Sequence, residues 1–436
     1  MPEPIKMPPY LTNIAGVPIP KIVEELGTPA FVYDEARILA QLDDLKIFDV
    51  VRYAQKACSS LAILQILRKS GIAVDAVSAA EIRRALKVGY RPKPEEEGGI
   101  HEIVYTADIF DREALELCVS NGIHVNCGSI DMIHQLGKAL VAREGVEFPV
   151  EITLRVNPGF GHGHSQKTNT GGTLSKHGIW HEQLDEALSV AGRYGILVSG
   201  LHIHIGSGTD FEHLSKCCDA MKFFALNIGS TIRTISAGGG LPTVYKEGDS
   251  YVDLQKYYEL WNAMREELEA QFLHEVTLEI EPGRYVVAES GYLIAEVRAV
   301  KNQDENRFYL LDAGFNNLAR PTLYGSYHPM SICPEDGVVP ESEPELEDII
   351  VGGPLCESGD IFTQEEGGFV VSRKLPRAWN GDFLVIGCAG AYGFVMGSNY
   401  NSKLYAPEAL LRDGKIYCIR KRQTFEQLIE NEIMLD

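Results

Sequence analysis

The sequence has 436 residues, more than one hydrophobic core usually organises, so we expect about two domains, one of them large enough for a barrel of roughly 250 residues. Hydrophobic residues make up 45% of the chain and charged residues 23%, and no run of about 18 apolar residues indicates a membrane span. A formal net charge of −21 without a long basic stretch argues against nucleic acid as a partner.

Two further features favour a cytoplasmic protein. Prolines interrupt the N-terminal segment MPEPIKMPPYLTNIAG, where a signal peptide would need a continuous apolar stretch. The nine Cys residues form no CxxC pair, which argues against a disulfide framework and against a thiolate zinc site. We therefore expect reduced thiols, no bound metal and no membrane partner.

From about residue 50, short β-branched segments alternate with stretches of helical period, the order typical of a parallel sheet with covering helices. In one such helix, Ser78 and Glu81 match an S-x-x-E capping box, and Gly89 stands where the helix should end. Eight strands of this kind favour closure into a (β/α)8 barrel. They begin at Val50, Ile72, Ile103, Ile123, Val150, Leu201, Ile232 and Val276.

Two segments break this alternation. Residues 158–176 are a Gly-, His- and Thr-rich insertion without any period, which indicates a functional loop or lid after the fifth strand. After Gly283, strand-like segments follow one another between Gly, Pro and acidic turns, as in a β domain. We therefore predict an α/β barrel over residues 30–283 and an all-β domain formed by residues 284–436 together with residues 1–29.

Unusual polar residues and glycines follow the predicted barrel strands. Because strand ends converge on one face of a βα barrel, these residues are candidates for a functional site. A single lysine, histidine or glycine at a strand end is more often solvated or structural, so only the combination is informative. The set comprises Lys56, Asp75, Ser78, Arg155, His204, Ser207, Gly238 to Gly240, and Glu281 to Arg284.

The combination supplies each group that pyridoxal phosphate requires, namely an amine, an acid near the pyridine nitrogen, a flat group over the ring and N–H donors around the phosphate. Lys56 is the candidate amine, Glu281 the acid and His204 the stacking group. Because a neutral amine needs burial or cationic neighbours, we expect the strand end to bury Lys56. The candidate phosphate donors are Gly238, Gly239, Gly240, Gly283 and the Ser207 hydroxyl.

Seven motifs in this order resemble the diaminopimelate decarboxylases, from about Gly27 to the C-terminus: YAQKAC, HIHIGSG, SAGGG, EPGR, RPTLYGSYH, GPLCESGD and GAYG. The insertion NPGFGHGHSQKTNTGGTLSKHGI resembles the bacterial form that acts in lysine biosynthesis. Two motifs depart from the family, with YAQKAC in place of YAVKAN and CAGAYG in place of TGAYG. Neither departure removes a group that the chemistry needs.

The resemblance implies a fold-type III enzyme, with an alanine-racemase-like barrel and a β domain, that works as a homodimer with active sites at the subunit interface. It implies that Lys56 forms the Schiff base with the cofactor, that His204 stacks on the ring and that Glu281 pairs with the pyridine nitrogen. The implied cofactor-binding set is Lys56, Asp75, Arg155, His204, Ser207, Gly238, Gly239, Gly240, Glu281, Gly283, Arg284 and Tyr392.

The resemblance also assigns the substrate and the acid. Cys356 matches the residue that reaches across from the partner chain and returns a proton after carbon dioxide leaves, which makes it catalytic together with Lys56 and His204. A distal carboxylate suits two guanidinium forks, while Glu357 would bind the distal ammonium. This favours decarboxylation of meso-diaminopimelate to L-lysine over decarboxylation of ornithine. The implied substrate-binding residues are Arg284, Arg320, Tyr324, Glu357 and Tyr392.

Several alternatives stay open at this point. A decarboxylase of the same fold could act on ornithine, arginine, lysine or a carboxylated polyamine such as carboxynorspermidine. An alanine racemase would place an arginine, rather than Glu281, against the pyridine nitrogen. A non-catalytic homologue that regulates a decarboxylase would not need Lys56 and Cys356. A metal-dependent barrel hydrolase could use clustered histidines, of which the candidates are His162, His164, His177, His202 and His204.

Overall fold

The computed structural model describes residues 7–94, 96, 99–161, 170–206 and 211–435. These residues fall into two compact units. One unit consists of residues 42–242 and 251–283, and the other contains the described parts of residues 1–41, 243–250 and 284–436. Among the described residues, every helix is too short or too polar to cross a membrane.

The first unit is a closed barrel of eight parallel strands, and all eight predicted strands are confirmed. Each strand pairs with the next along the chain, and the ring closes where Glu279 of the eighth strand lies opposite Val50 of the first. A short strand, Ile179–Trp180, pairs beside the fifth. The barrel strands are Val50–Ala54, Ala73–Ala76, Ile103–Ala107, His124–Cys127, Val150–Asn157, Ile196–Ile203, Thr234–Ser236 and Thr277–Ile280.

Helices alternate with these strands, as predicted. The helix after the second strand shows the local signals clearly: the Ser78 hydroxyl accepts from the Glu81 N–H at 3.2 Å, and Gly89 ends the helix with a left-handed φ of 97°. The Glu81 carboxylate accepts from the Val77 N–H at 2.8 Å instead of completing a capping box on Ser78. The helices are Leu61–Lys69, Ala79–Val88, Arg112–Asn121, Ile130–Val141, Leu184–Arg193, Phe211–Ile228 and Leu254–Phe272.

The second unit is built on a twisted, mainly antiparallel sheet. Its long central strand, Gly291–Gln303, pairs with Ala30–Asp34, Asn306–Leu311 and Phe383–Ile386. The helix Glu35–Asp43 leads the chain from Ala30–Asp34 towards the first barrel strand. The remaining strands of the sheet are Met330–Cys333, Leu346–Gly352, Arg373–Pro376, Glu408–Arg412 and Lys415–Arg420.

N-terminal residues take part in this second unit. A two-stranded ribbon of Asn13–Ile14 and Val17–Pro18 precedes the helix Ile19–Leu26, and Tyr10 forms a bridge with Ile332. Apolar side chains of the ribbon and the helix pack with those of the sheet strands into one buried cluster, which stabilises the unit because it removes a large apolar area from water. The short helices Arg284–Val287, Arg320–Tyr324 and Phe425–Ile429 complete the unit.

Candidate active site

The structure places Lys56 directly after the first barrel strand, in the 3-10 turn Gln55–Ala57. The neighbours Gln55 and Ala57 are buried, but the Lys56 side chain is exposed. The expectation that the strand end buries this lysine is therefore wrong, because Gln55 and Ala57, and not Lys56, take the buried positions of this turn. An exposed amine remains accessible to a reagent that enters from solvent.

Glu281, after the eighth strand, is buried and held by the barrel interior. The His202 Nε2 atom lies 2.6 Å from one carboxylate oxygen, and the Asn126 amide donates to the other at 3.5 Å. Burial alone would raise the pKa of Glu281, but His202, Arg52 and Arg155 lower it below its ordinary value. The site thus keeps a negative charge on Glu281, as a partner for a protonated ring nitrogen requires.

Asp75 is a second buried carboxyl group at the same end of the barrel. Burial, and then the charge of Glu281, raise the pKa of Asp75 to about 8, although Thr106 and Lys56 act in the opposite direction. One of its oxygens has no hydrogen-bond partner among the described residues. Two neighbouring carboxyl groups with opposite pKa shifts are typical of catalytic sites, because their environments favour one neutral and one charged form.

The glycines after the seventh strand make a closely packed turn. A Cβ atom on Gly238 would lie 2.2 Å from the Ile203 carbonyl oxygen, and one on Gly239 would lie 2.5 Å from that of Glu281. Within the described part of the chain, the backbone N–H groups of Gly239 and Gly240 have no acceptor. Uncapped N–H groups in a turn that admits no side chain form a natural cradle for a phosphate.

His204 borders the same turn. Its Cε1 atom lies 3.5 Å from the Cβ position of Gly240. Its ring Nδ1 is shielded from solvent, and no residue that the structure describes offers it a hydrogen bond. Burial, with the nearby cations Lys56 and Arg155, lowers the pKa of His204 well below its ordinary range, so the ring is neutral. A flat, neutral imidazole beside the phosphate cradle can stack on an aromatic cofactor.

The remaining barrel candidates have different positions. Arg155 is buried at the end of the fifth strand, where it lies opposite His202 in the register of the sheet. Gly283 is buried, and its Cβ position is 3.2 Å from atoms of Ala54 and Ala57. Ser78 caps a helix, so its role is structural. Ser207 lies outside the described residues.

A second cluster lies within the other unit and contains Arg284 and Arg320. Both guanidinium groups donate to the hydroxyl oxygen of Tyr245, from Nη1 atoms at 2.8 Å and 3.1 Å respectively. The Arg284 guanidinium also lies 5.1 Å from the centre of the Tyr392 ring. Both arginines are buried, and no carboxylate of a described residue lies within ion-pairing distance of either. Two buried cations without a counter-ion suit an anionic ligand.

Asp360, the last residue of the GPLCESGD segment, fixes the conformation of this loop. Its carboxylate accepts from the N–H of Leu355 at 2.8 Å and from the N–H of Phe315 at 2.7 Å. The loop presents Cys356 and Glu357 as exposed side chains, and the Cys356 thiol is unpaired. The exposed position fits a pair of residues whose ligand or partner comes from outside this unit.

Two predicted aromatic residues lie near the arginine cluster. Tyr324 ends the short helix Arg320–Tyr324, and Tyr392 follows a buried strand of the sheet with a positive φ of 58°. Both are half-buried. The structure therefore brings Tyr392 to Arg284 and places Tyr324 one helical turn from Arg320. Within the described part of the chain, Glu357 forms no hydrogen bond or ion pair with either arginine.

Two of the five histidines considered as metal ligands, His177 and His202, contact carboxylate groups instead. His202 binds Glu281, and the His177 Nδ1 atom lies 2.5 Å from an Asp108 carboxylate oxygen. His162 and His164 lie outside the described residues. Among the residues that are described, no group of three or more His, Cys, Asp or Glu side chains could hold a metal ion.

Sequence reasoning missed three residues of these clusters. It treated His202 only as a potential metal ligand and did not consider Tyr245 or His328, although His328 is buried and lies 3.0 Å from Arg320. The alternation along HIHIG was a usable signal for His202, because residues two apart in a strand face the same side. No local signal marks Tyr245.

Taken together, the barrel residues fit pyridoxal phosphate. The cradle at Gly239 and Gly240 suits a phosphate dianion, the ionised Glu281 suits a pyridinium and the neutral His204 suits an aromatic ring. Lys56 supplies a primary amine within electrostatic reach of Asp75 and His204.

A family model described as "Pyridoxal-dependent decarboxylase, pyridoxal binding domain" matches residues 35–288, more than half of the chain. The chain is 48% identical over 423 residues to diaminopimelate decarboxylase of Escherichia coli strain K12, covering 97% of this chain and 98% of that protein. It is 49% identical over 409 residues to the Streptomyces coelicolor diaminopimelate decarboxylase, covering 94% and 90% respectively.

The solved structures that resemble this chain include diaminopimelate decarboxylases. A crystal structure of diaminopimelate decarboxylase matches with a TM-score of 0.89 and 49% identity, covering 95% of this chain and 96% of that one. The Helicobacter pylori diaminopimelate decarboxylase complexed with L-lysine matches with a TM-score of 0.81 and 29% identity, covering 94% and 98%. The predicted fold, a (β/α)8 barrel with a β domain, is confirmed.

Proposed function

Because the chain belongs to the pyridoxal-dependent decarboxylases, we propose that it converts meso-2,6-diaminopimelate to L-lysine and carbon dioxide, the last step of lysine biosynthesis. The observation that carries the substrate assignment is the pair Arg284 and Arg320, two buried guanidinium groups that share Tyr245 and lack a carboxylate partner among the described residues. A substrate with a second carboxylate would supply that partner, whereas ornithine would leave both cations unpaired.

Pyridoxal phosphate supplies an electron sink that stabilises the negative charge left on the α-carbon when carbon dioxide departs. In this proposal Lys56 would hold the cofactor's aldehyde carbon, and the Gly238 to Gly240 turn, with Gly283 and Ser207, would hold its phosphate. Glu281 would keep the ring nitrogen protonated, because His202, Arg52 and Arg155 stabilise the carboxylate. His204 would stack on the ring, and Asp75 and Arg155 would complete the binding set.

The proton that replaces the lost carboxylate needs an acid close to the α-carbon. We assign this role to Cys356 and the release of the product to Lys56. Cys356 and Glu357 are exposed in the single chain, which supports their delivery to the active site of a partner subunit. The working form in this proposal is a cytoplasmic homodimer with shared active sites, in which Tyr324, Tyr392 and Glu357 contact the substrate.

Shared active sites can be tested by mixing two inactive variants. Lys56→Ala removes the cofactor-binding amine and Cys356→Ala removes the acid, so each homodimer should be inactive. If Cys356 acts across the interface, subunit exchange gives heterodimers with one intact site each, and activity should recover to about a quarter of the wild-type level. A mixture that stays inactive after exchange contradicts the shared site.

The substrate is tested by carbon dioxide release from meso-diaminopimelate, ornithine, arginine and lysine under identical conditions. The proposal predicts that kcat/KM is highest for meso-diaminopimelate by at least about two orders of magnitude, since only this substrate pairs the two guanidinium groups. Equal or better activity on ornithine or arginine would contradict it and would favour a different decarboxylase of the same fold.

A further inference from the structure

His328 is a buried neighbour of Arg320 whose hydrogen bonds fix its tautomer. Its Nε2 atom lies 3.0 Å from the Arg320 Nη1, and its Nδ1 atom lies 3.0 Å from the Gly387 carbonyl oxygen. A guanidinium can only donate, so Nε2 must accept, and Nδ1 must carry the proton and donate to Gly387. Burial, and then the charge of Arg320, lower the pKa of His328 well below its ordinary range, in agreement with a neutral ring.

Tyr245 connects Arg320 to the second arginine of the cluster, Arg284. Its hydroxyl oxygen accepts from both guanidinium groups, and its ring lies 5.0 Å from the Arg320 guanidinium and 5.5 Å from the centre of the His328 ring. An oxygen that accepts twice still has its own hydrogen to donate. Within the described part of the chain no acceptor takes that hydrogen. The hydroxyl is therefore available as a third donor next to the two cations.

The shared oxygen also fixes the spacing of the arginines. Because both Nη1 atoms lie within hydrogen-bonding distance of one atom, these two nitrogen atoms are no more than roughly 6 Å apart. Left unrestrained, two buried like charges would move apart. Tyr245 holds them together at one end, and the neutral His328 fixes the direction of Arg320 without adding a third positive charge.

We propose that Tyr245 and His328 complete the receptor for the second carboxylate of the substrate, with Tyr245 as a direct hydrogen-bond donor to that carboxylate and His328 as a positioning residue for Arg320. This inference rests on the proposed function, because it deepens the substrate assignment of the same cluster. It predicts that both residues affect ligands that carry this carboxylate and leave other ligands unaffected.

Two ligands that differ only by one carboxylate measure the contribution of that carboxylate to binding. L-lysine retains the carboxylate that the reaction leaves in place, and cadaverine is the same molecule without it. Binding of both to the holoenzyme is measured by titration calorimetry, which does not depend on turnover. The variants are Tyr245→Phe, His328→Leu and His328→Gln, of which the last keeps an acceptor for Arg320 and a donor for Gly387. Tyr309→Phe is the control, since Tyr309 is a buried tyrosine of the same unit that bonds to the Pro376 carbonyl oxygen.

We expect Tyr245→Phe and His328→Leu to weaken L-lysine binding about ten- to a hundredfold, the range for a lost hydrogen bond to a charged group, with cadaverine binding unchanged. KM for meso-diaminopimelate should rise by a similar factor while kcat stays within about twofold, and His328→Gln should restore most of the loss. Tyr309→Phe should leave the affinities for L-lysine and for cadaverine unchanged.

Two results would overturn the inference: unchanged L-lysine affinity in both Tyr245→Phe and His328→Leu, or an equal loss for L-lysine and cadaverine. If His328→Leu does not fold, Tyr245→Phe and His328→Gln still decide the question, because Tyr245→Phe must lose L-lysine affinity selectively. Failure of the proposed function would look different. The wild-type enzyme would then release no carbon dioxide from meso-diaminopimelate, whatever the variants bind.

Discussion

Replacing Arg320 with methionine separates its role in substrate binding from its role in stability. Methionine keeps most of the buried volume and removes the charge. A carboxylate held by the guanidinium fork receives two charge-assisted hydrogen bonds of about 1.5–3 kcal/mol each. Their loss predicts a fall in kcat/KM for meso-diaminopimelate of about two to four orders of magnitude, since about 1.4 kcal/mol corresponds to a factor of ten.

The stability of the ligand-free protein should respond much less. With roughly 6 Å between the two Nη1 atoms and an effective dielectric constant of about 20, the repulsion between Arg284 and Arg320 is about 3 kcal/mol. The substitution removes this repulsion and also removes two hydrogen bonds from the charged guanidinium, to Tyr245 and His328, worth about 1.5–3 kcal/mol each. The two effects partly cancel, so the free energy of unfolding should fall by no more than about 3 kcal/mol.

The assay compares carbon dioxide release from meso-diaminopimelate and from racemic lysine, whose only carboxylate must be the one that leaves. Arg320→Met should lose activity on meso-diaminopimelate and change activity on lysine less than about threefold. Urea unfolding of the ligand-free protein measures the free energy of unfolding of the variant and of the wild type. Equal losses on both substrates, or a destabilisation of more than about 3 kcal/mol, would refute the assignment of Arg320 to the second carboxylate.

Three further predictions concern other parts of the site. Gly239→Ala should weaken cofactor binding at least about tenfold, because its Cβ would lie 2.5 Å from a carbonyl oxygen. The control Gly192→Ala should bind the cofactor normally, because among the described residues no atom beyond its own helix backbone and chain neighbours lies within 4 Å of that Cβ position. Similar cofactor affinities of the two variants would contradict the phosphate cradle. Asp75 binds a proton more tightly in the folded protein, so its contribution to stability is lost as pH rises from about 4 to about 8. In the cofactor-free protein, Tm should therefore decline less steeply with pH in Asp75→Asn than in the wild type. If the two plots of Tm against pH run parallel, the raised pKa of Asp75 is contradicted. Cys356→Ala should lower kcat at least about a hundredfold without changing the visible absorbance of the bound cofactor, while Cys418→Ala, at the other exposed thiol, should leave kcat unchanged.

The sequence predicts the fold well because its signals are local. Alternating β-branched and helical segments identify the eight barrel strands, and a single residue such as Gly89 marks a helix end through its own backbone preference. The strand ends then predict which side chains meet, because a barrel brings them to one face. This reasoning places Glu281, His204 and the glycines of Gly238 to Gly240 together, as the structure has them.

Other features depend on contacts that no local pattern contains. His202 and Glu281 are 79 residues apart, and Tyr245 and Arg320 are 75 apart, so only the folded chain reveals these hydrogen bonds. The exposure of Lys56 follows from the direction of one 3-10 turn, which strand periodicity does not determine. The capping-box motif likewise does not determine that the Glu81 carboxylate accepts from Val77.

The central claim is that Lys56 carries the cofactor. Treating the holoenzyme with borohydride makes the bond between a lysine nitrogen and the cofactor's aldehyde carbon permanent, and mass spectrometry of the digested protein then locates the modified residue. We predict one modified peptide per chain, with the added mass on Lys56 and none on Lys56→Ala treated in parallel. Modification of a different lysine in the wild-type protein, or none at all in an active preparation, would contradict the account.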